Sequence, residues 1–403
     1  MDLAAFTSRS PGDLVTITGI DPVRGPWTHR AFVPHPLGTS APDLSAATYR
    51  VVGDCRAALG ALDSTARRLP NPRLFRRPAL QAEAQSTSAL EGTYAPLVEV
   101  LTADEDRPLN LDVREILNYV VMAETAFAHV EAGLPVTVDT LTGLQALLVA
   151  GTRAETAAAG SLRDHQVIVG PRREAAADAL PAHAARFVPS PPGIDLRANL
   201  QTLLDWMRDS GVASAVDPVV AAALAHYQFE ALHPFHDGNG RIGRLLVVLH
   251  LVTRGVLSEP TLTVSPWFEA RRTEYYDRLH EVSTGGAWDE YVRFFAVGLE
   301  ASAVRTHSRM LALVDVQTEL RETVRLSRLR SDTARALVDH AVGHVSFTVR
   351  QVQAALGVSY GRANTVVDQL VGLGILRTSG TSPSPSRRFF APRVMEVLTR
   401  AWD

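Results

Sequence analysis

Residues 233–244 combine several side-chain types that could do chemistry. They read His-Pro-Phe-His-Asp-Gly-Asn-Gly-Arg-Ile-Gly-Arg. Two apolar stretches flank them, residues 221–232 and 245–252, and each predicts a helix. We therefore expect a loop between two helices, with the small residues 238–240 at the start of the second helix.

The spacing of these residues predicts a phosphate-binding site. The first turn of a helix exposes unpaired N–H groups at the positive end of the dipole, and glycines let a phosphate approach the backbone. Arg241 and Arg244 fall on one face and can hold further phosphate oxygens. Asp237 offers a carboxylate to the Mg²⁺ that accompanies a nucleotide. His233, with an ordinary pKa of about 6.5, suits a general base. Together they predict chemistry on a nucleoside triphosphate.

The same segment resembles the signature of the Fic family, His-Pro-Phe-x-x-Gly-Asn-Gly-Arg-x-x-Arg, at every fixed position. The resemblance implies a mainly α-helical core with a short β-hairpin flap. It also implies a protein adenylyltransferase, a nucleotidyltransferase that moves AMP from ATP to a Ser, Thr or Tyr hydroxyl of a target protein. His233 is then the catalytic base and Asp237 the Mg²⁺ ligand. The implied ATP contacts are His233, Gly238, Asn239, Gly240, Arg241, Ile242, Gly243 and Arg244.

An upstream segment resembles the inhibitory motif of the same family, [Ser/Thr]-x-x-x-Glu-[Gly/Asn]. Thr87, Glu91 and Gly92 occupy its fixed places, at the end of a helix expected over about 79–92. A glutamate is unfavourable at the negative end of a helix dipole, which suggests that Glu91 has a partner elsewhere. The resemblance implies that Glu91 pairs with Arg244 and occupies the space of the ATP γ-phosphate, which makes Glu91 part of the ATP site and a brake.

Two more segments fit the layout of the family. Residues 163–170 alternate polar and apolar side chains and end before Gly-Pro, which is typical of a short strand or hairpin. They resemble the Fic flap, which holds a target segment by strand addition. Residues 265–268 precede residues 274–279, and this pattern resembles the family's tyrosine pair near the adenine. Tyr275 is the expected adenine contact.

Composition excludes several other kinds of protein. The 403 residues are 46% hydrophobic and 21% charged, typical of a folded chain of two or three domains. None of the 40 basic residues is lysine, which excludes a P-loop lysine and a Schiff-base lysine. One cysteine, Cys55, excludes a disulfide framework. The sequence has no apolar run of about 18 residues and no secretory signal. We therefore expect a cytoplasmic protein without a membrane partner.

Changes in pattern divide the chain into four predicted regions. The first 40 residues are expected to be an irregular lead-in, followed by a helix over 44–69. A connector helix is expected to carry Leu311, Val314 and Leu320 on one stripe. The four regions are an N-terminal region (1–107), a catalytic core (108–300), the connector helix (301–330) and a C-terminal domain (331–403).

The C-terminal domain has 8 arginines against 5 acidic residues, while residues 1–330 have 32 against 38. Helices predicted over 348–356 and 359–373, followed by a basic hairpin, indicate a winged helix-turn-helix. Such a domain either binds DNA or serves in docking or homodimerisation. The residues that would face DNA are Ser359, Tyr360, Arg362, Asn364, Arg387 and Arg388.

Three alternatives stay open at this stage. His233, His236 and Asp237 could bind a transition metal, with His226 and His250 on the flanking helices, although the glycines and arginines have no role in such a site. The same fold could remove AMP, with Glu91 orienting a water, or move another phosphate-linked group. The chain could also be a nucleotide-sensing, DNA-binding regulator. The target protein is unidentified, and the chain itself is a candidate target.

Overall fold

The structure is a computed structural model. It describes residues 1–403 except 24, 70, 104–107, 109, 173–179, 328, 330, 380–386 and 401–403. Its helices are α1 (Ala46–Arg68), α2 (Arg76–Glu91), α3 (Leu97–Thr102), α4 (Leu111–Glu131), α5 (Val138–Val149), α6 (Pro181–Ala184), α7 (Ile194–Arg208), α8 (Ser210–Ala215), α9 (Pro218–Leu232), α10 (Asn239–Thr253), α11 (Ser265–Ala270), α12 (Arg272–Gly285), α13 (Trp288–Leu326), α14 (Asp332–Gly343), α15 (Val349–Leu356), α16 (Tyr360–Gly372) and α17 (Pro392–Thr399). The expected mainly helical fold is confirmed.

Three small antiparallel sheets accompany these helices in the described residues. The first pairs β1 (Gly12–Asp21) with β2 (Gly25–Pro34), and the second pairs β3 (Val169–Pro171) with β4 (Ala185–Phe187). In the third, β7 (Arg388–Phe390) lies between β5 (Phe347–Thr348) and β6 (Arg377–Ser379).

The expectation of an irregular lead-in over the first 40 residues was wrong. Strands β1 and β2 form a hairpin in register from Gly12↔Pro34 to Asp21↔Gly25. Consecutive β-branched residues in β1, Val15–Thr18, favour a strand, and the five prolines fall at strand ends or in the turn rather than mid-strand. Phe32 of β2 is fully buried in the main core.

Helices α9 and α10 form the centre of the molecule. Nearly every residue of both helices is buried, so they are surrounded by other helices on all sides. The six residues between them, 233–238, are therefore held at both ends by elements that cannot shift without disturbing the core. This arrangement fixes the loop that carries the candidate chemistry.

The expected connector helix is not a separate element. Helix α13 runs without interruption from Trp288 to Leu326, so the predicted boundary at 300 falls inside it. The predicted apolar stripe was partly wrong, because Leu311 is 44% exposed. Leu320 is buried as predicted, while the other buried positions near the predicted stripe are Met310, Leu313, Val316 and Val324.

The described part of the C-terminal region has its elements in the predicted order, with Gly357 (φ 62°) ending α15 in the left-handed conformation. Several residues expected at DNA already have partners in the protein. Arg362 Nη2 donates to Ser331 Oγ at 2.7 Å, and Asn364 Nδ2 donates to Asp368 Oδ2 at 3.0 Å. Binding of DNA by this region, its identity as a winged helix and the four-region division all stay predictions.

None of the described helices combines the length and the apolar character that crossing a lipid bilayer requires.

The buried histidine of α10 gives a stability prediction. His250 is 1% exposed, both its ring nitrogens lack a hydrogen-bond partner, and burial lowers its pKa to about 3. As pH falls below about 6.5, the unfolded chain takes up a proton that the folded chain refuses, so stability is lost between about 6.5 and 3. We expect His250→Leu to recover about 2 kcal/mol more free energy of unfolding at pH 5 than at pH 7.5.

Urea titrations at both pH values measure this difference. His35→Leu is the control for the same substitution at a solvent-accessible position, because the side chain of His35 is 57% exposed. An equal gain for His250→Leu at pH 5 and pH 7.5 would show that protonation of His250 does not oppose folding.

Candidate active site

His233 occupies the turn between α9 and α10 in a conformation that side chains rarely adopt. Its φ of 52° makes it the one non-glycine residue with positive φ among the described residues. Its N–H donates to Phe229 O at 2.9 Å and ends α9, and Pro234 prevents the helix from continuing. Such strain persists only where the surroundings hold it in place.

The buried guanidinium of Arg163 supplies much of that hold. Arg163 is 2% exposed, and its Nε donates to the carbonyl oxygen of His233 at 2.7 Å. Burial lowers its pKa to about 10, so it stays charged at neutral pH. Its other guanidinium N–H groups donate to the carbonyl oxygens of Ser190, Leu232 and His165. Sequence reasoning missed this role, because backbone carbonyls leave no signal in a sequence.

The flap was only partly predicted. Within residues 163–170 the backbone is irregular up to residue 168, and the strand begins at Val169. Pairing with β4 joins Val169 to Phe187 and Pro171 to Ala185. Because Arg163 anchors the start of this segment, its first part is held against the loop instead of extending as a strand.

Asn239 locks the loop from the other side. Its Oδ1 accepts from Phe235 N and its Nδ2 donates to Phe235 O, both at 2.8 Å. Asn239 is 2% exposed, so its side chain has no free group for a nucleotide. The ATP contact expected at Asn239 is one of its backbone N–H group, and it stays a prediction. Its role here is to hold Phe235, which is fully buried in the core.

Two glycines of the loop are required by close approaches. Gly238 has a φ of 88°, and a Cβ there would lie 2.6 Å from Leu148 Cδ2. A Cβ on Gly240 would lie 2.1 Å from Glu91 Oε1 and 2.9 Å from Arg244 Nη1. Gly240 therefore keeps open the space beside Arg244 that a phosphate or the Glu91 carboxylate can occupy.

Ile242 and Gly243 do not offer side chains to a nucleotide. Ile242 is fully buried, and its N–H donates to Gly238 O at 3.0 Å as part of the helix. A Cβ on Gly243 would lie 2.5 Å from Glu230 Oε1, so this glycine makes room for a neighbouring carboxyl. The ATP contacts expected at these two positions would have to involve the backbone, and they stay predictions.

The two arginines of the motif have different partners. Arg241, 3% exposed at its side chain, contacts the carboxylates of Asp237 and Glu115. It is therefore occupied in ion pairs, and its expected contact with phosphate stays a prediction. Glu115 was missed in the sequence, where it is one acidic residue among many. The contact with Arg241 orients Asp237, whose side chain stays 45% exposed.

Arg244 has the partner that the sequence predicts. Its Nη2 donates to Glu91 Oε1 at 2.6 Å, and its Nε donates to Thr87 Oγ1 at 2.8 Å. Burial raises the pKa of the Glu91 carboxyl, but the Arg244 guanidinium and its hydrogen bond lower it by more, so the carboxyl is ionised. Arg244 is 1% exposed at its side chain and Glu91 30%, so only the arginine end of the pair is buried. Among the described residues, Arg244 Nη1 makes no regular hydrogen bond.

The electrostatic surroundings keep His233 neutral. Burial lowers its pKa to about 4, against a smaller opposite effect of Glu91. Its Nδ1 lies 3.4 Å from Glu230 O, so the neutral ring carries its proton on Nδ1 and keeps the lone pair on Nε2. Burial also raises the pKa of Glu230 to about 8. His233 can therefore accept a proton at neutral pH.

A cavity of about 510 Å³ lies against these residues. Glu91, His233 and Gly240 line one side, and residues 169–171 of the flap line another. Its volume is in the range of small-molecule sites. Tyr276 lines the cavity, and its hydroxyl donates to Leu90 O at 3.2 Å. Tyr275 is fully buried, its hydroxyl lies 2.7 Å from His226 Nε2, and it does not line the cavity, so its expected contact with adenine stays a prediction.

The rival metal site around His233 is not assembled. His226 faces Tyr275, and His250 lies in a separate cavity beside Leu246 and Leu249. Among the described residues, a different group of three side chains brings candidate ligand atoms together. It consists of Asp164, His165 and His236.

Two family models match this chain. Residues 135–251 match the Fic/DOC family, and residues 49–128 match the Fic/DOC family N-terminal region. This chain contains a Fic/DOC domain. The match to the Fic domain includes His233 and Arg244, and the N-terminal match includes Glu91, so the contact between Glu91 and Arg244 joins the two matched regions.

Known proteins resemble the Fic domain and its surroundings. Protein adenylyltransferase fic-1 of Caenorhabditis elegans is 35% identical over 152 residues, which are 38% of this chain and 25% of that protein. Protein adenylyltransferase Fic of Drosophila willistoni is 38% identical over 109 residues, 27% of this chain and 20% of that protein. These matches span a quarter or less of the relatives' lengths. A crystal structure of a Fic family protein from Desulfovibrio desulfuricans G20 is similar in fold, with a TM-score of 0.52 and 21% identity over 87% of this chain and 98% of that one.

The hydrogen bonds of Asn239 give a testable prediction. In Asn239→Asp the acceptor for Phe235 N–H is kept, but a carboxylate oxygen replaces the donor that faces Phe235 O. A buried acceptor facing another acceptor should cost about 1–3 kcal/mol of the free energy of unfolding. Thermal or urea unfolding measures this loss. Asn71→Asp is the control, because Asn71 is exposed and its side chain makes no capping hydrogen bond, and equal loss in both variants would contradict the assigned role.

Proposed function

We propose that the Fic domain transfers AMP from ATP to a Ser, Thr or Tyr hydroxyl of a target protein, and that Glu91 restrains this activity. The observation that carries the proposal is a cavity lined by a neutral His233, Gly240 at the start of α10 and Glu91, whose carboxylate contacts the buried Arg244; among the described residues, Arg244 Nη1 makes no regular hydrogen bond. A buried guanidinium N–H without a partner favours an anionic ligand. The names of the similar proteins support the same reaction.

The reaction divides among residues of the loop. His233 Nε2 accepts the proton of the target hydroxyl, and the hydroxyl oxygen attacks the α-phosphorus of ATP. The bond from the α-phosphorus to the bridging oxygen breaks, and pyrophosphate leaves with its charge next to Arg244. The first-turn N–H groups of α10 stabilise the phosphates. The flap, beside the cavity, receives the target segment by strand addition.

Asp237 is the proposed Mg²⁺ ligand. Mg²⁺ on a nucleotide takes oxygen ligands, commonly one or two carboxylates, substrate phosphates and water. Asp237 fits this pattern, because Arg241 contacts its Oδ1 while the side chain stays 45% exposed. Mg²⁺ would supply charge neutralisation at the phosphates. A cytoplasmic location, where ATP and Mg²⁺ are available, stays the prediction from the sequence.

Glu91 acts as a brake by two routes. It engages Arg244 Nη2 at 2.6 Å, and its carboxylate occupies the space beside Gly240 that a terminal phosphate needs. A carboxylate there also repels a phosphate. A second activity uses the same geometry. Because the side chain of Glu91 is 30% exposed and faces the cavity with His233, it can orient a water for removal of AMP from a modified protein.

The role of His233 is tested by His233→Ala. We expect transfer to be lost while affinity for ATP stays within a few-fold, because the histidine acts on the attacking hydroxyl. Labelled AMP incorporation and calorimetric ATP binding measure the two quantities.

Asp237→Ala is the matched contrast, because it should weaken nucleotide binding only when Mg²⁺ is present. Near wild-type transfer by His233→Ala would overturn the proposed mechanism, and equal effects of the two variants on binding would overturn the division of roles.

The brake is tested by removing the carboxylate. If the closed arrangement is favoured by about 2–3 kcal/mol, the competent population is about 1–3%, so Glu91→Gly should raise transfer by tens to about a hundredfold. Self-modification should rise with it. Incorporation of AMP from α-labelled ATP into the chain and into candidate targets measures the effect.

Glu91→Gln keeps the size and one acceptor for Arg244 but loses the charge, so we expect an intermediate gain. Both variants should lose any activity that removes AMP from a modified protein. Unchanged or lower transfer in Glu91→Gly, with an unchanged melting temperature, would contradict the brake.

A further inference from the structure

A second cluster of polar side chains lies outside the cavity, where the segment before the flap meets the loop. Asp164 Oδ1 lies 3.3 Å from His236 Nε2 and 2.9 Å from His165 Nδ1. The rings of His165 and His236 stack with centroids 4.1 Å apart. One ligand atom from each of the three residues lies within 4.8 Å of the other two.

The surroundings of His236 point to a missing partner. Both ring nitrogens are covered from solvent and make no regular hydrogen bond, although the ring lies against Asp164. Covering a polar nitrogen without a partner is costly. The Fic signature leaves this position variable, so the histidine is not required for the chemistry proposed above.

We propose that Asp164, His165 and His236 bind a divalent transition-metal ion of the Zn²⁺ class. Two imidazoles and a carboxylate form the usual donor set for such an ion, whereas Mg²⁺ prefers oxygen ligands alone. Bonds of 2.0–2.1 Å in a tetrahedral site place neighbouring ligand atoms about 3.3 Å apart. The two separations from Asp164 Oδ1, 3.3 Å and 2.9 Å, are close to this value, and the three ligand atoms all lie within 4.8 Å of one another.

The local charges permit this site. The Arg163 guanidinium lies near His236 and opposes a cation there, but it donates to four carbonyl oxygens, and the Asp164 carboxylate contributes an opposite charge. The side chains of Asp164 and His165 are 82% and 71% exposed, which leaves the fourth position of the ion open to water.

The ion would join two segments that matter for the proposed reaction. His236 follows His233 by three residues, and His165 belongs to the segment that leads into β3 of the flap. Arg163 already ties these segments through the carbonyl of His233. A metal at the cluster supplies a second tie, on the solvent side, and orders the flap relative to the loop.

The test is metal binding by the full chain in the absence of nucleotide. After treatment with a chelator and dialysis, we expect calorimetry with Zn²⁺ to give one site, and Co²⁺ to give the visible absorption of a tetrahedral complex. Zn²⁺ should raise the melting temperature, because an ion that binds only the folded state stabilises it. His236→Ala, His165→Ala and Asp164→Asn should each weaken Zn²⁺ by at least about tenfold, since even an outer-shell partner is worth roughly 10–100-fold.

His35→Ala is the matched control, because His35 also lies beside a carboxylate, 3.1 Å from Asp13, but is not part of a three-ligand group in the described residues. It should bind Zn²⁺ like the wild type. Wild-type affinity in His236→Ala, or no bound Zn²⁺ in the wild type, would overturn the site. These readouts need no ATP. A chain that binds Zn²⁺ but does not transfer AMP would therefore contradict only the proposed function, and a chain that transfers AMP but does not bind Zn²⁺ would contradict only the metal site.

Discussion

The arrangement of the elements around the site depends on the buried guanidinium of Arg244, which needs polar partners. Arg244 sits at the centre of the fold with 1% of its side chain exposed, and an unpaired charge there would cost several kcal/mol. Helix α2 satisfies it from two sites one helical turn apart, Thr87 and Glu91. One N–H group remains unpartnered next to Gly240. The position of α2, the closeness of Glu91 to the cavity and the attraction of that cavity for an anion all follow from this one side chain.

Because the chain has no lysine, buried arginines also make the other ionic contacts around the loop. Arginine presents five donors in a planar fork, so one buried guanidinium can tie several acceptors, where an ammonium acts as a point charge. Arg163 ties the backbone of the loop to the segment before the flap, and Arg241 ties α10 to α4 through Glu115. Arg163 therefore holds the loop through the carbonyl of His233, and Arg241 contacts Asp237 within it. The strained conformation of His233 is possible because these ties leave the loop no alternative.

The sequence predicted the parts of the site that depend on local pattern. The loop between α9 and α10 and the end of α2 at Gly92 were expected from this pattern, whereas the pair of Glu91 with Arg244 was expected from the resemblance to the Fic family. The sequence could not show which of its polar residues face the cavity and which are buried. Asn239 sits in the same motif as His233 but bonds the backbone of Phe235, and Tyr275 differs from Tyr276 only by one position on a helix. A rotation of about 100° per residue decides burial, and only the packing of neighbouring helices fixes that rotation. The β1–β2 hairpin was not predicted, because the prolines of this region indicate an irregular segment while the β-branched residues of β1 indicate a strand.

The way in which Glu91 can be displaced follows from how α2 is held. Glu83, on the same helix, accepts from Ser265 N at 3.0 Å, and Tyr276 bonds Leu90 O near the other end. Before α2 begins, Gly343 of α14 packs so closely on Leu74 that a Cβ would lie 2.9 Å from it. Moving the helix would break contacts at both ends and disturb the C-terminal region. Rotating the Glu91 side chain into the cavity breaks one ion pair, whose glutamate end is already 30% exposed. Release of Arg244 by side-chain rotation is therefore less costly than release by helix movement, and the surrounding fold can stay unchanged while Arg244 exchanges a carboxylate for a phosphate.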